Sequence, residues 1–337
     1  MTSTVPDVST PDAIIRLGVA FCEAKALLTA VDLDLFSTLH SSPATEEEIR
    51  QRLALHGRGL SDLLHILVAL GLLEKDGDRF RNTTGADRYL VRGQQGYLGA
   101  FLWGANQNIY PAWGKLTTAL RTGKPQHGDN FLDMINDPRQ LGHFVAMMDA
   151  INQFIGPELI KAVDWSGHAS VLDVGGCRGN IVGQIVKAHP GLTGHVFDLP
   201  QMEPLFSEHI ADMGLTGAVR FHGGDFFRDP LPKADLVILG HVLHDWNREQ
   251  RAFLFRKARE AVNPGGTLLV YDPMLDDKPG HFRNLLISLT MLLVTDGGSE
   301  YPVSEVYEYA SAAGVSSVTD QPLGAWEDTL VVCRVPS

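Results

Sequence analysis

The sequence predicts an α/β fold, a doubly wound parallel sheet preceded by an all-helical, winged-helix-like module. Three observations predict it. Residues 171–198 read as strand, glycine turn, helix and second strand, the opening unit of a Rossmann-like sheet. Two further apolar runs, 235–239 and 267–271, each end in polar residues and are separated by a stretch with helical spacing. The first 95 residues carry helix, turn, helix and hairpin signals instead.

In chain order, residues 1–11 form a Ser/Thr/Pro-rich tail without an apolar signal core. From 12 to 39 the spacing of Ile14, Leu17, Ala24, Leu28, Val31 and Leu35 predicts helices, with apolar residues on more than one face. Such a surface suits contact with another subunit. Thr45 before Glu46, Glu47 and Glu48 is a helix start. Residues 59–70 make a second helix, and 72–80 a hairpin with an Asp-Gly type turn. Residues 96–165 are helical and rich in aromatics and Met, including Trp103, Met147 and Met148. Most belong to ordinary core, but flat aromatics and flexible Met also suit an apolar pocket for a planar ligand. Residues 121–130 read as a loop and 330–335 as a late edge strand. The resulting division is 1–95, 96–165 and 166–337.

Bulk composition excludes several classes. Asp and Glu outnumber Lys and Arg by 40 to 28, a formal charge of −12, which argues against nucleic acid as the main partner. The helix after the first turn offers mainly Arg58, Ser61, Asp62 and His65, a weak set for base edges, so a DNA-binding regulator is the lesser alternative. Three scattered cysteines indicate a reducing, cytoplasmic setting, not a disulfide framework or zinc site. The apolar stretch 285–294 is too short to span a bilayer.

The chemistry concentrates at predicted strand ends. Gly175, Gly176 and Gly179 allow a tight turn and close backbone approach to a ligand. Asp198 lies 19 residues past Gly179, at the tip of the second strand, where a carboxylate can accept from both ribose hydroxyls. Asp173 at the first strand end disfavours a pyrophosphate and suits a cationic ligand; S-adenosylmethionine carries adenosine, an amino acid and a sulfonium, and no phosphate. Asp225 followed by Phe226 can bind an adenine amine and cover its face. His241 and His244 follow the 235–239 strand, where residues face the ligand crevice. Histidine titrates near neutrality, so His244 is a candidate general base, with Asp272 and Glu300 as candidates to orient it.

Asp173-Val-Gly-Gly…Gly179, Phe197-Asp198-Leu-Pro200, Gly224-Asp225-Phe226-Phe227, His244-Asp245-Trp246, Pro264-Gly-Gly266 and Gly297-Gly298-x-Glu300 occur in one order and spacing. By them the chain resembles, over nearly its whole length, the plant-type small-molecule O-methyltransferases and their bacterial natural-product relatives. The resemblance implies an S-adenosylmethionine-dependent O-methyltransferase of secondary metabolism, such as antibiotic biosynthesis, with an N-terminal module that makes an intertwined homodimer. It implies His244 as base, Asp272 and Glu300 as its flanking acids, and Gly175, Asp198, Asp225 and Phe226 as cofactor contacts. It also places Met148 near the reacting methyl. Trp103, Met147 and His241 are further acceptor-pocket candidates. The chain departs from the family in having Asp272 where Glu is usual, Gly240 for a lysine that contacts the cofactor, Cys177 for a glycine, and His241 for an aromatic. A metal-dependent C-methyltransferase of a 2-oxo acid, with His241, His244 and Asp245 as ligands, is the alternative. Residues 285–300 offer no histidine to complete such a site, so no metal is expected.

Overall fold

A computed structural model describes residues 8–126, 131–275, 282–324 and 326–337. The chain divides into two compact units, one running to Pro111 and including Ala146–Ala150, the other comprising Ala112–Val145 and Ile151–Ser337. The stretch 96–165 is shared between them.

In the first unit, helices Pro11–Val19, Phe21–Asp32 and Leu35–His40 precede strand β1 (Ala44–Thr45). Helices Glu46–Arg52 and Leu60–Ala69 follow, then strands β2 (Leu73–Asp76) and β3 (Arg79–Asn82). The sheet order β1-β3-β2 adds one short strand to the expected hairpin. Thr10 caps the first helix, so the expected tail is already ordered there, while residues 1–7 lie outside the described residues. Thr45 and Glu48 form a reciprocal capping box, which explains why the acidic run starts a helix. Phe36, Ile49, Leu64, Leu67, Leu73 and Phe80 close a core of their own. By contrast Ile14, Ile15, Leu17, Val19 and Phe21 stay half or more exposed. A π-helical turn, Ala105–Ile109, carries the buried Asn106, whose Oδ1 accepts from Lys25 Nζ. Trp103, Met147 and Met148 all belong to this unit, and Met147 Sδ lies 2.8 Å from where a Cβ on Gly104 would stand.

The second unit is built on a seven-stranded sheet. Its strands are β4 (Ser170–Val174), β5 (Thr193–Asp198), β6 (Val219–Gly223), β7 (Ala234–Gly240), β8 (Val262–Asp272), β9 (Ser317–Pro322) and β10 (Thr329–Arg334). The order is β6-β5-β4-β7-β8-β10-β9, parallel from β6 to β8, with β10 antiparallel to both neighbours. Alternate residues feed two cores. Val237, Leu239, Leu268 and Val270 face helices Arg248–Ala261 and Val303–Ala312. Leu236, Ile238 and Leu269 face helix Asn180–Ala188 and the end of helix Pro138–Ala162. No helix among the described residues is long and apolar enough to cross a membrane.

Three sequence expectations change. The apolar run near the C-terminus is not an edge: β10 sits inside the sheet, and the polar β9 takes the edge. Buried-strand composition in 330–333 is the composition of an inner strand, and an exposed polar edge is the ordinary way to end a sheet. The loop expected at 121–130 begins later, because a helix runs to Thr122 before Gly123 turns left-handed; 127–130 lie outside the described residues. Asn263-Pro-Gly-Gly266 has the composition of a helix stop, yet these residues already belong to β8, across a register shift between Ala234 and Leu236. There Gly266 is pressed against its neighbour: a Cβ would stand 2.2 Å from the Asp235 backbone oxygen. Gly266→Ala must therefore displace backbone, and we expect a stability loss of about 1–3 kcal/mol in urea unfolding.

Candidate active site

Two constellations form at the C-terminal end of the parallel strands. The first surrounds the glycine turn after β4. Gly175 and Gly179 have φ of 76° and 82°, a region in which side chains are strained. A Cβ on Gly175 would come 2.7 Å from Val242 Cγ2 and 4.0 Å from Phe226 Cε1, so the Phe226 ring borders the turn. Cys177 shares the left-handed conformation, φ 53°, which accounts for the glycine usual at its position in the resembling family. Its backbone N–H donates to Asp198 Oδ2 and that of Leu199 to Oδ1, both at 2.7 Å. These bonds fix the carboxylate at the tip of β5 and leave lone pairs for hydroxyl donors. Asp225 accepts from the Phe227 N–H at 2.8 Å and lies 3.4 Å from Arg228.

Asp173 is buried, and burial, helped by the Asp198 charge, pushes its carboxyl up to about 7. Burial likewise raises Asp198 to about 6, against its two backbone hydrogen bonds. Two carboxyls beside backbone that can approach closely suit a ligand with a cationic centre and a ribose.

At Gly240 the ring of Tyr271 occupies the space in which a side chain would begin, with Cζ 2.0 Å from where a Cβ would stand. A lysine has no room there, which gives the departure at this position a steric cause. Any cofactor contact at Gly240 must come from its backbone.

The second constellation centres on His244, on a 3₁₀ turn after β7. Its side chain is buried, with Nδ1 2.8 Å from Glu300 Oε1 and 3.7 Å from Asp272 Oδ1. A carboxylate on Nδ1 holds a proton there, and in the neutral imidazole this puts the lone pair on Nε2. Nε2 makes no hydrogen bond among the described residues; the Asp245 carboxylate is 3.8 Å away. Asp272 is fully buried and accepts from the Tyr301 hydroxyl through Oδ2. Burial works against a charged imidazole, but Glu300, Asp272 and Asp245 outweigh it and hold the His244 pKa well above 6.5. Burial pushes Asp272 up to about 7 even beside that imidazole.

His241 stands 5.5 Å from His244, ring to ring, with φ 52°. Its Nε2 lies 2.8 Å from the buried Asp328, and its ring packs edge-on to Tyr271. Burial opposes charge on His241, and the Asp328 carboxylate overcomes it, raising the pKa. The two histidines thus face separate carboxylates, and among the described residues no group of three or more His, Cys, Asp or Glu side chains is placed to hold a metal.

The second unit therefore brings together Asp173, Gly175, Gly179, Asp198 and Phe226 around the turn, and His241, Asp272 and Glu300 around His244. Trp103, Met147 and Met148 lie in the first unit. Sequence reasoning missed Tyr271, Tyr301, Asp328 and Arg251. Asp328 is 87 residues from His241, with no local pattern to join them; Tyr301, directly after Glu300, was the most accessible signal.

Because Glu300 is the charge nearest His244, Glu300→Gln should lower the imidazole pKa toward the ordinary range. In NMR titrations of isotopically labelled histidine, the His244 midpoint should lie above 6.5 in the parent and move down in the variant. An unchanged midpoint would mean that Glu300 does not set it.

A family model for the O-methyltransferase domain matches residues 113–316, and one for the O-methyltransferase dimerisation domain matches residues 15–92. The tetracenomycin polyketide synthesis 8-O-methyl transferase TcmO of Streptomyces glaucescens is 43% identical, over 97% of both chains. The N,N-dimethyltransferase OxyT of Streptomyces rimosus is 40% identical, over 96% of this chain and 97% of its own. Among solved structures, human N-acetylserotonin methyltransferase in complex with S-adenosylmethionine superposes with a TM-score of 0.87 at 26% identity, covering all of both chains. The expected fold, a Rossmann-like domain behind a helical dimerisation domain, is thus the fold of known methyltransferases. The chain belongs to the O-methyltransferase family, as an S-adenosylmethionine-dependent enzyme of its bacterial natural-product branch.

Proposed function

We propose that the enzyme methylates a phenolic hydroxyl of a planar aromatic polyketide, with His244 as general base. The observation that carries this reading is the buried His244–Glu300 hydrogen bond, 2.8 Å at Nδ1, with Nε2 making no hydrogen bond among the described residues. Bound S-adenosylmethionine would supply the electrophilic methyl group on its sulfonium. Asp198 would hold the ribose, Asp225 and Phe226 the adenine, and Gly175 and Gly179 would admit it close to the backbone. Asp173 would face its cationic end. His244 Nε2 takes the proton from the acceptor hydroxyl as that oxygen attacks. Glu300 and Asp272 stabilise the imidazolium that results. Trp103, Met147, Met148 and His241 are candidates to hold the acceptor.

We further propose a homodimer formed through the N-terminal module. Its support is the match to the dimerisation family and the exposure of Ile14, Ile15, Leu17, Val19 and Phe21. A cytoplasmic location fits three free cysteines.

His244→Ala should lower kcat by roughly 10²–10⁴-fold, the range for a positioned base, with S-adenosylhomocysteine affinity within twofold of the parent. Joint loss of turnover and affinity would make His244 structural. Neutral imidazole is the working form, so kcat/KM should fall as pH drops through a midpoint above 6.5; Glu300→Gln should move that midpoint to lower pH. Mass spectrometry with matched phenol and amine acceptors separates this reading from N-methylation, which the likeness to OxyT favours: preferential methylation of the amine would overturn it. In analytical ultracentrifugation the protein should sediment as a dimer, and Ile15→Glu should shift it toward monomer.

A further inference from the structure

The base and its acid come from two separate segments, 241–247 and 297–301, so something must fix one against the other. Their backbones are already laced together. The Ser299 N–H donates to the His244 carbonyl at 2.9 Å, and a Cβ on Gly298 would stand 2.5 Å from that same oxygen. Arg251 joins both. It projects from helix Arg248–Ala261, whose first turn is capped by Asn247. Its side chain is buried, at 6% exposure. Nη1 donates to the Trp246 carbonyl at 2.6 Å and reaches the Ser299 carbonyl and hydroxyl at 3.5 and 3.4 Å. The guanidinium also lies 4.8 Å from the centre of the Tyr301 ring, whose hydroxyl donates to Asp272.

One planar cation therefore touches the residue two past His244, the residue before Glu300, and the tyrosine that holds Asp272. Its own charge is met by Glu305, 2.8 Å from Nε, and Glu305 in turn accepts from Tyr309. A buried charge held by an ion-paired hydrogen bond is rigid, and a fork of donors can serve two segments where a point charge serves one. We propose that Arg251 is a positioning residue: it sets the His244–Glu300–Asp272 geometry by clamping the two segments that carry it. The proposal rests on the reading of His244 as base, but it makes a claim about geometry that can be tested without turnover.

Arg251→Lys keeps the positive charge and the pairing with Glu305 while removing the fork. Any change in His244 then reports geometry and not lost charge. The groups that face His244 are Glu300, Asp272, Asp245 and His241. If the clamp loosens, the carboxylates of Glu300 and Asp272 retreat from the ring. The His244 NMR midpoint should then fall toward the ordinary imidazole range, and the acid limb of kcat/KM should move down with it. Turnover per S-adenosylhomocysteine-binding site should drop at least tenfold, with cofactor-product affinity within twofold. A merely structural arginine would lower the melting temperature and leave the midpoint and the turnover per binding site unchanged; that result overturns the proposal. Should Arg251→Lys fail to fold, Glu305→Gln frees the guanidinium from its mount and is read by the same midpoint and the same per-site turnover. If His244→Ala keeps its activity while Arg251→Lys still shifts the His244 midpoint, the base reading has failed and the clamp stands.

Discussion

Buried carboxylate is the constraint on which the site depends. Asp173, Asp272, Glu300 and Asp328 are all buried, and all lie at or beyond the C-terminal ends of the parallel strands. An isolated buried carboxylate is costly, so each needs a hydrogen bond, a proton or a positive charge. His244 and His241 meet part of that need, and the Tyr301 hydroxyl another part. Asp173 has no imidazole of this kind; burial and the Asp198 charge raise its carboxyl to about 7, so a proton meets part of its need. The apolar packing on both faces of the sheet makes the constraint possible, because it keeps water from the strand ends that carry the acids.

The same constraint explains the order of parts along the chain. Parallel strands deliver Asp173, Asp198, Gly240 and Asp272 to one edge without any loop having to find its way there. Glu300 and Asp328 arrive on loops, and loops need anchors. The Ser299 N–H on the His244 carbonyl anchors one of them; Asn284, which donates to the carbonyls of Met274 and Glu327, anchors the other. The geometry around His244 is thus inherited partly from the sheet and partly from side chains that hold backbone.

What was legible in the sequence follows the same division. The strand, glycine turn and helix of 171–188 were readable because each rests on local chemistry: β-branched runs, positive φ and helical spacing. Asp198, His244, Asp272 and Glu300 were readable because strand ends and short motifs mark them. The inner position of β10 was not, since periodicity reports burial of a strand but not its neighbours. Asp328 and Arg251 act across 87 and 48 residues, and no short-range pattern encodes such a pair. Tyr271 and Gly240 show a subtler limit. Gly240 stood out only as a departure and Tyr271 not at all, and only their adjacency on neighbouring strands shows that the ring fills the space of the missing side chain.

The relatives at 43% and 40% identity are named for transfer to oxygen and to nitrogen respectively, so sequence likeness by itself does not choose an acceptor. The physical demands differ. A neutral amine already presents a lone pair to the methyl group, and its surplus proton leaves after transfer. A phenol, with a pKa near 10, is a poor nucleophile until its proton is going. It gains most from a base whose own pKa lies above the ordinary imidazole value, since the transfer is then less uphill. Glu300 and Asp272, crowded on Nδ1, raise the His244 pKa in that direction, so the arrangement suits such a base. For an amine the same carboxylates would raise the imidazole pKa to little purpose, and the imidazolium they favour would repel the positive charge developing on nitrogen. The electrostatics around His244 therefore favour oxygen.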